Sequence, residues 1–295
     1  MAAKQFPIVL AHGIARFDIF SETLRTILGL PDDEFTNRFQ YFKGIKTLLE
    51  APENGFTVFH PNQDFTGPVE LRAEQLRQRI VEIMASIGVN KVHIIAHSMG
   101  GLDARHMIVN KGMAAHVASL TTIGTPHLGT SLASLVHTVG GIAIMAALHP
   151  FINLGGFPDL TIDACRQFNL QAEDQEARND IFYQTYASSE IRRTVFNPLK
   201  LAFDFIQSNE GDNDGLVPVE SQKWKSELVA SNGTRKTITQ KDFPVRSDHL
   251  NEVGWWDIAE NIDPTLDILE LIRRKEEFEK SIREIYLEIA ENLPE

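Results

Sequence analysis

The chain has 295 residues, 43% of them hydrophobic and 23% charged, enough for one large α/β domain with a substantial buried core. A formal net charge of −12 argues against nucleic acid and anionic membrane surfaces as electrostatic partners. The single cysteine, Cys165, excludes an intrachain disulfide and suits a reducing compartment.

Residues Met1–Phe6 pass into a strand-like run with no signal-type apolar segment, so a cytoplasmic location is expected, or secretion where a leader has been removed. Pro7-Ile8-Val9-Leu10-Ala11 reads as a buried strand ending in a turn at His12-Gly13. Residues 14–67 are loop-rich and aromatic, with a second strand expected at Phe56–Phe59. Pro68 suits the first turn of a helix in which Leu76, Ile80, Ile83, Met84 and Ile87 recur at helical spacing. Arg and Glu are expected on its opposite face, and Gly88 supplies the stop. Lys91–Ala96 is the next strand, Gly100–Arg105 opens another helix, and Val117–Gly124 is a further strand. This alternation predicts a predominantly parallel sheet with helices on both faces. Strands buried on both sides explain why these runs are almost wholly apolar.

From Gly112 to Pro158 there is no Asp, Glu, Lys or Arg. The most apolar part, Leu132–Leu148, is broken by Ser134, His137, Thr138 and Gly140-Gly141. A membrane-spanning helix needs about 20 mostly apolar residues, so no transmembrane segment is expected. Turn signals gather at Asn209–Gly215, and a long charged helix is expected over about 264–293, capped by Asp263 with Pro264 at its first position. Its stripe of Leu266, Leu269, Phe278, Ile282, Ile285 and Ile289 is expected to pack on the protein's own body, the alternative being a partner helix. The oligomeric state is not legible from it.

The decisive segment is Ala96-His97-Ser98-Met99-Gly100-Gly101, between a strand and a helix. A serine there sits on a sharp turn with its hydroxyl clear of the sheet, and the small residues around it let strand and helix approach. Its hydroxyl needs a base, and the base an orienting carboxylate. In such a fold the acid precedes the histidine, and only His249, in Ser247-Asp248-His249-Leu250, lies late enough to follow one. Asp214, in Asn213-Asp214-Gly215-Leu216-Val217-Pro218, is the favoured acid; Asp212 is the runner-up, and Asp248 adjoins the base it would orient. The residue after the nucleophile, Met99, offers one oxyanion amide, and the loop at His12-Gly13-Ile14 offers the other through Ile14, with His12 bracing that loop.

These blocks, together with Gly124-Thr125-Pro126-His127-Leu128-Gly129-Thr130 and Asp248-His249-Leu250-Asn251-Glu252-Val253, resemble the bacterial triacylglycerol lipases of the α/β-hydrolase superfamily. They fall in the family order and span residues 7 to about 255. The resemblance implies an α/β-hydrolase fold over a single domain, 1–295, with a helical lid at about 132–158. It implies Ser98, Asp214 and His249 as the triad, with the amides of Ile14 and Met99 as the oxyanion hole. An apolar lid suits a lipid or other ester substrate at a lipid–water interface. The secreted, chaperone-dependent members carry a disulfide and a calcium, but the family's calcium-ligating aspartate is Asn251 here and its glutamine is Trp255. Neither feature is expected, and secretion and a dedicated chaperone lose their support. No motif points to a metal or cofactor. The expected activity is hydrolysis of carboxylic esters, acylglycerols or other fatty-acyl esters, through an acyl-enzyme. A phospholipase, a polyester depolymerase, a short-chain esterase and a catalytically silent binding protein are the alternatives.

Overall fold

The alternating apolar runs of the sequence assemble into one six-stranded parallel sheet. The structure, a computed structural model, describes residues 6–14, 41–61, 67–135, 138–152, 154–255 and 268–295. In chain order its main elements are β1 (Ile8–Ala11), α1 (Ile45–Leu49), β2 (Val58–Phe59), α2 (Val69–Ile87), β3 (Val92–His97), α3 (Met99–Asn110) and β4 (Val117–Ile123). They continue with α4 (Ile142–Leu148), α5 (Ile162–Arg178), β5 (Phe182–Ala187), α6 (Lys200–Asn209) and α7 (Val219–Lys223). A small antiparallel pair, β6 (Glu227–Val229) and β7 (Arg235–Thr237), leads to β8 (Thr239–Asp242) and the closing helix α8 (Ile268–Glu291).

The sheet order is β2-β1-β3-β4-β5-β8, every neighbouring pair parallel. Period-two alternation sends Ile8, Leu10 and Ile95 into one core and Val9, Ala11, Ile94 and Ala96 into the other. The fold is therefore an α/β-hydrolase sheet buried on both faces, as the apolar strands predict. The second strand is shorter than expected, confined to Val58–Phe59. None of the described helices is long and apolar enough to cross a membrane.

Two helices correct the sequence reading. On α2, Leu76, Ile80 and Met84 are buried as expected, but Ile87 is 42% exposed and Arg72, expected in solvent, is fully buried. On α8, Leu269 is 75% exposed, and the buried stripe runs through Leu271 instead, then Ile282, Ile285 and Ile289. The stripe packs on α1 of the same chain, Tyr286 meeting Phe42 edge-on with ring centroids 6.0 Å apart. The expected helix start at Pro264, its cap Asp263 and the stripe residue Leu266 lie outside the described residues. Between β4 and α5, the charge-free stretch forms α4 and three short 3-10 turns at Ser131–Leu135, Val139–Gly141 and Leu154–Leu160.

Candidate active site

Ser98 stands where β3 ends and α3 begins. Its backbone is held at φ 56°, ψ −136°, in a region side chains other than glycine rarely occupy. The turn is pinned on both sides: Ser98 N donates to Ile123 O at 3.0 Å, and Thr125 Oγ1 donates to Ser98 O at 2.8 Å. Close packing also requires Gly100, where a Cβ would come within 2.5 Å of the Ala11 carbonyl oxygen. The strained serine thus sits at the C-terminal edge of the sheet, where loops from several strands converge.

His249 and Asp214 reach the serine from two such loops. The turn after β8 carries His249, whose Nε2 lies 2.8 Å from Ser98 Oγ and whose Nδ1 lies 2.8 Å from Asp214 Oδ2. With its Nδ1–H donated to the carboxylate, the ring presents Nε2 as an acceptor for the serine proton. Asp214 is fixed as tightly: its Oδ1 accepts the backbone N–H of Leu216 and of Val217, both at 2.8 Å. Its Oδ2 also accepts from Gln222 Nε2 at 3.1 Å, and the His249 N–H donates to its carbonyl at 2.9 Å. All three side chains are buried, Ser98 at 6% exposure. The two other acids point elsewhere. Asp212 is exposed, and the Asp248 carboxylate accepts the backbone N–H groups of Phe196, Leu250 and Asn251.

The loop after β1 presses against the nucleophile. A Cβ at Gly13 would fall 2.6 Å from Ser98 Cβ and 3.0 Å from its Oγ. His12 braces this loop, its Nδ1 2.8 Å from Gly13 O, and burial keeps its imidazole neutral, with the pKa well below the usual value. Ile14 and Met99, the two expected oxyanion residues, are both buried. As the first residue of α3, Met99 has no carbonyl partner within its helix, which leaves its amide available.

Three contacts had no signal in the sequence. Arg72 donates from Nε and Nη2 to Asp103 Oδ2 at 2.9 and 2.6 Å, and from Nη2 to His12 O at 2.8 Å, tying α2, α3 and the β1 loop together. Gln222 on α7 steadies the acid. Beside the triad runs a second line, Tyr41–His97–Glu252, with Glu252 Oε2 also 3.9 Å from His249 Nδ1. Among the described residues His97, His249 and Glu252 are the one group whose ligand-type atoms come within 4.8 Å of one another. Those atoms already serve the hydrogen bonds above, so an ion there would displace the bonds that hold Ser98, His249 and Asp214 together.

A narrow cleft lies over Ser98 and His249. Its walls are almost wholly apolar, with Ile14, Leu132, Ile152, Phe157, Leu160 and Leu216 prominent. A buried nucleophile, a base in hydrogen-bond reach and an apolar groove suit attack on a carbonyl attached to a hydrocarbon chain.

Known proteins share this arrangement of sequence and fold. Residues 70–140 match the PGAP1-like alpha/beta domain family. The chain is 28% identical over 285 residues to triacylglycerol lipase 2 of Saccharomyces cerevisiae, covering 84% of this chain and 80% of that protein. It is 28% identical over 283 residues to a triacylglycerol lipase of Vibrio cholerae, covering 85% and 80%. The mature form of a Bacillus licheniformis lipase superposes with a TM-score of 0.60 at 21% identity, over 83% of this chain and 84% of that one. In sheet, in the serine at its turn and along most of its length, the chain is similar to triacylglycerol lipases, and it shares their α/β-hydrolase fold.

Proposed function

We propose that the protein hydrolyses carboxylic esters of fatty acids, acylglycerols foremost, with Ser98 as nucleophile, His249 as general base and acid, and Asp214 as the orienting carboxylate. The observation that carries this reading is the continuous line from Ser98 Oγ to His249 Nε2 and from Nδ1 to Asp214 Oδ2, both steps 2.8 Å, at the floor of an apolar cleft. His249 takes the serine proton as Oγ attacks the ester carbonyl, and the amides of Ile14 and Met99 receive the oxyanion. The protonated imidazole then gives its proton to the departing alcohol, leaving an acyl-enzyme. Water, activated by the same histidine, releases the acid.

The charge-free segment is the lid in this proposal. Its residues Leu132, Ile152 and Phe157 line the cleft beside Ser98, and the segment is seated on the oxyanion residues at Gly156. A Cβ at Gly156 would come within 2.8 Å of Met99 Sδ and 3.5 Å of Ile14 Cγ2. The serine, 6% exposed beneath this cover, gains access when the segment lifts, and an apolar underside favours lifting at a lipid–water interface.

Replacing Ser98 with alanine removes the nucleophile and keeps the fold. Turnover of nitrophenyl esters and labelling by a fluorophosphonate probe are both expected to fall to background, with the melting temperature little changed. Residual turnover at the wild-type rate would rule out Ser98. Emulsions of tributyrin, triolein and phosphatidylcholine then rank the substrates, with acylglycerols expected fastest; a preference for phosphatidylcholine would make the protein a phospholipase.

A further inference from the structure

Tyr41, His97 and Glu252 reach the active site from three distant parts of the chain, and none is more than 4% exposed. The Tyr41 hydroxyl oxygen lies against Gly13, 2.8 Å from where a Cβ on that glycine would stand. That hydroxyl lies 2.7 Å from His97 Nδ1, and His97 Nε2 lies 2.9 Å from Glu252 Oε2.

Burial, then the neighbouring His249, hold the His97 imidazole well below its usual pKa, which favours the neutral ring. A neutral imidazole donates from one ring nitrogen and accepts at the other, so His97 joins the Tyr41 hydroxyl to the Glu252 carboxyl in one continuous line. Burial, reinforced by Asp214 and Asp248, pushes the Glu252 carboxyl well above the usual range.

The line touches the reacting groups at two points. Gly13 packs against Ser98 and immediately precedes Ile14, the proposed oxyanion donor. The His97 ring lies 4.5 Å from the His249 ring, centroid to centroid. Burying three polar side chains costs desolvation that an apolar trio would avoid, and what such a line supplies in return is fixed geometry.

We propose that Tyr41, His97 and Glu252 are positioning residues that hold the Gly13–Ile14 loop, and with it an oxyanion amide, against Ser98. The proposal rests on Ser98, His249 and Asp214 being the triad. Tyr41 is the cleanest point to test, because phenylalanine keeps its ring contacts with His12 and Phe42 and deletes only the hydroxyl.

In the full chain, Tyr41→Phe is expected to lower kcat on nitrophenyl butyrate by about 10- to 100-fold, the scale of a misplaced catalytic donor, with KM within about twofold. Fluorophosphonate labelling of Ser98 should slow in parallel, since it develops charge on the same oxygen. Glu252→Gln, whose amide oxygen can still accept from His97, should lose several-fold less kcat than Glu252→Leu. A purely stabilising role predicts a lower melting temperature with kcat and labelling rate as in wild type, and that result would overturn the proposal. Should Tyr41→Phe fail to fold, the Glu252 pair decides: equal kcat for the two variants overturns it. Failure of the wild-type protein to be labelled at all would instead strike the triad, and the positioning role with it.

Discussion

At Gly13 a single missing methyl group decides whether the Gly13–Ile14 loop can reach the serine. An alanine side chain there would lie 2.6 Å from Ser98 Cβ and 2.8 Å from the Tyr41 hydroxyl. Neither neighbour can retreat cheaply, Ser98 being locked at φ 56° between sheet and helix and Tyr41 bonded to His97. Gly13→Ala should therefore push the loop outwards and lower kcat by about 10²-fold, as a displacement near 1 Å does in other enzymes. The melting temperature should fall by only about 2 °C, matching a local clash of about 1 kcal/mol in a chain of this length. Steady-state kinetics and a thermal melt check both, and an unaltered kcat would show that the loop yields. The meeting of Ser98, Asp214 and His249 was legible at this scale, because each sits at a turn whose neighbours, glycine, apolar strand or turn dipeptide, announce the backbone that presents it. Tyr41, His97 and Glu252 were not. Their pairings cross 56 and 155 positions, and a contact between side chains so far apart leaves no periodicity to read.

Among the elements, α2 and α3 are joined by one buried ion pair, Arg72 with Asp103, each side chain fully inaccessible. Helical periodicity placed the arginines of α2 in solvent, since a charged residue on an inner face breaks no apolar pattern until its partner on another helix is known. Arg72→Met should destabilise the protein by about 3–5 kcal/mol, because Asp103 is then left buried without its cation. Adding Asp103→Leu removes that stranded charge and should restore most of the loss. Urea unfolding of the two variants measures this, and a double variant no more stable than the single one would show that the pair is not what the helices depend on. Activity should behave differently. Arg72 also donates to His12 O, so the double variant regains stability while kcat stays low. The closing helix shows what pattern reading misses in another way. Its existence and inner stripe from Phe278 onward were legible, but Leu269 and Leu271 flank Glu270 equally well in sequence, and only the folded chain distinguishes the buried Leu271 from the exposed Leu269.

For the whole molecule, the net charge of −12 suggests a protein that acid should merely neutralise, yet its interior responds in the opposite sense. Burial holds five imidazoles neutral: His60 and His106 are lowered to about 4, and His12, His97 and His127 lie well below the usual value. The unfolded chain protonates these groups near pH 6.5, so each contributes stability that is complete above that pH and is lost as the pH falls towards the folded pKa. Three carboxyls oppose them. Burial raises Asp103 to about 6, Asp248 to about 7, and Glu252 well above its usual value, so the folded protein retains protons there that the unfolded chain releases. Their contribution is complete at low pH and declines as the pH rises. Between pH 5 and 6 five imidazoles outweigh three carboxyls, so unfolding takes up protons on balance and stability falls with pH. The urea midpoint should therefore fall steeply from pH 6.5 to pH 5, while the molecule's net charge moves closer to zero. A midpoint that holds steady or rises over that interval would mean that the buried imidazoles carry their protons in the folded state. The neutral His97 required by the Tyr41–Glu252 line would be lost with them.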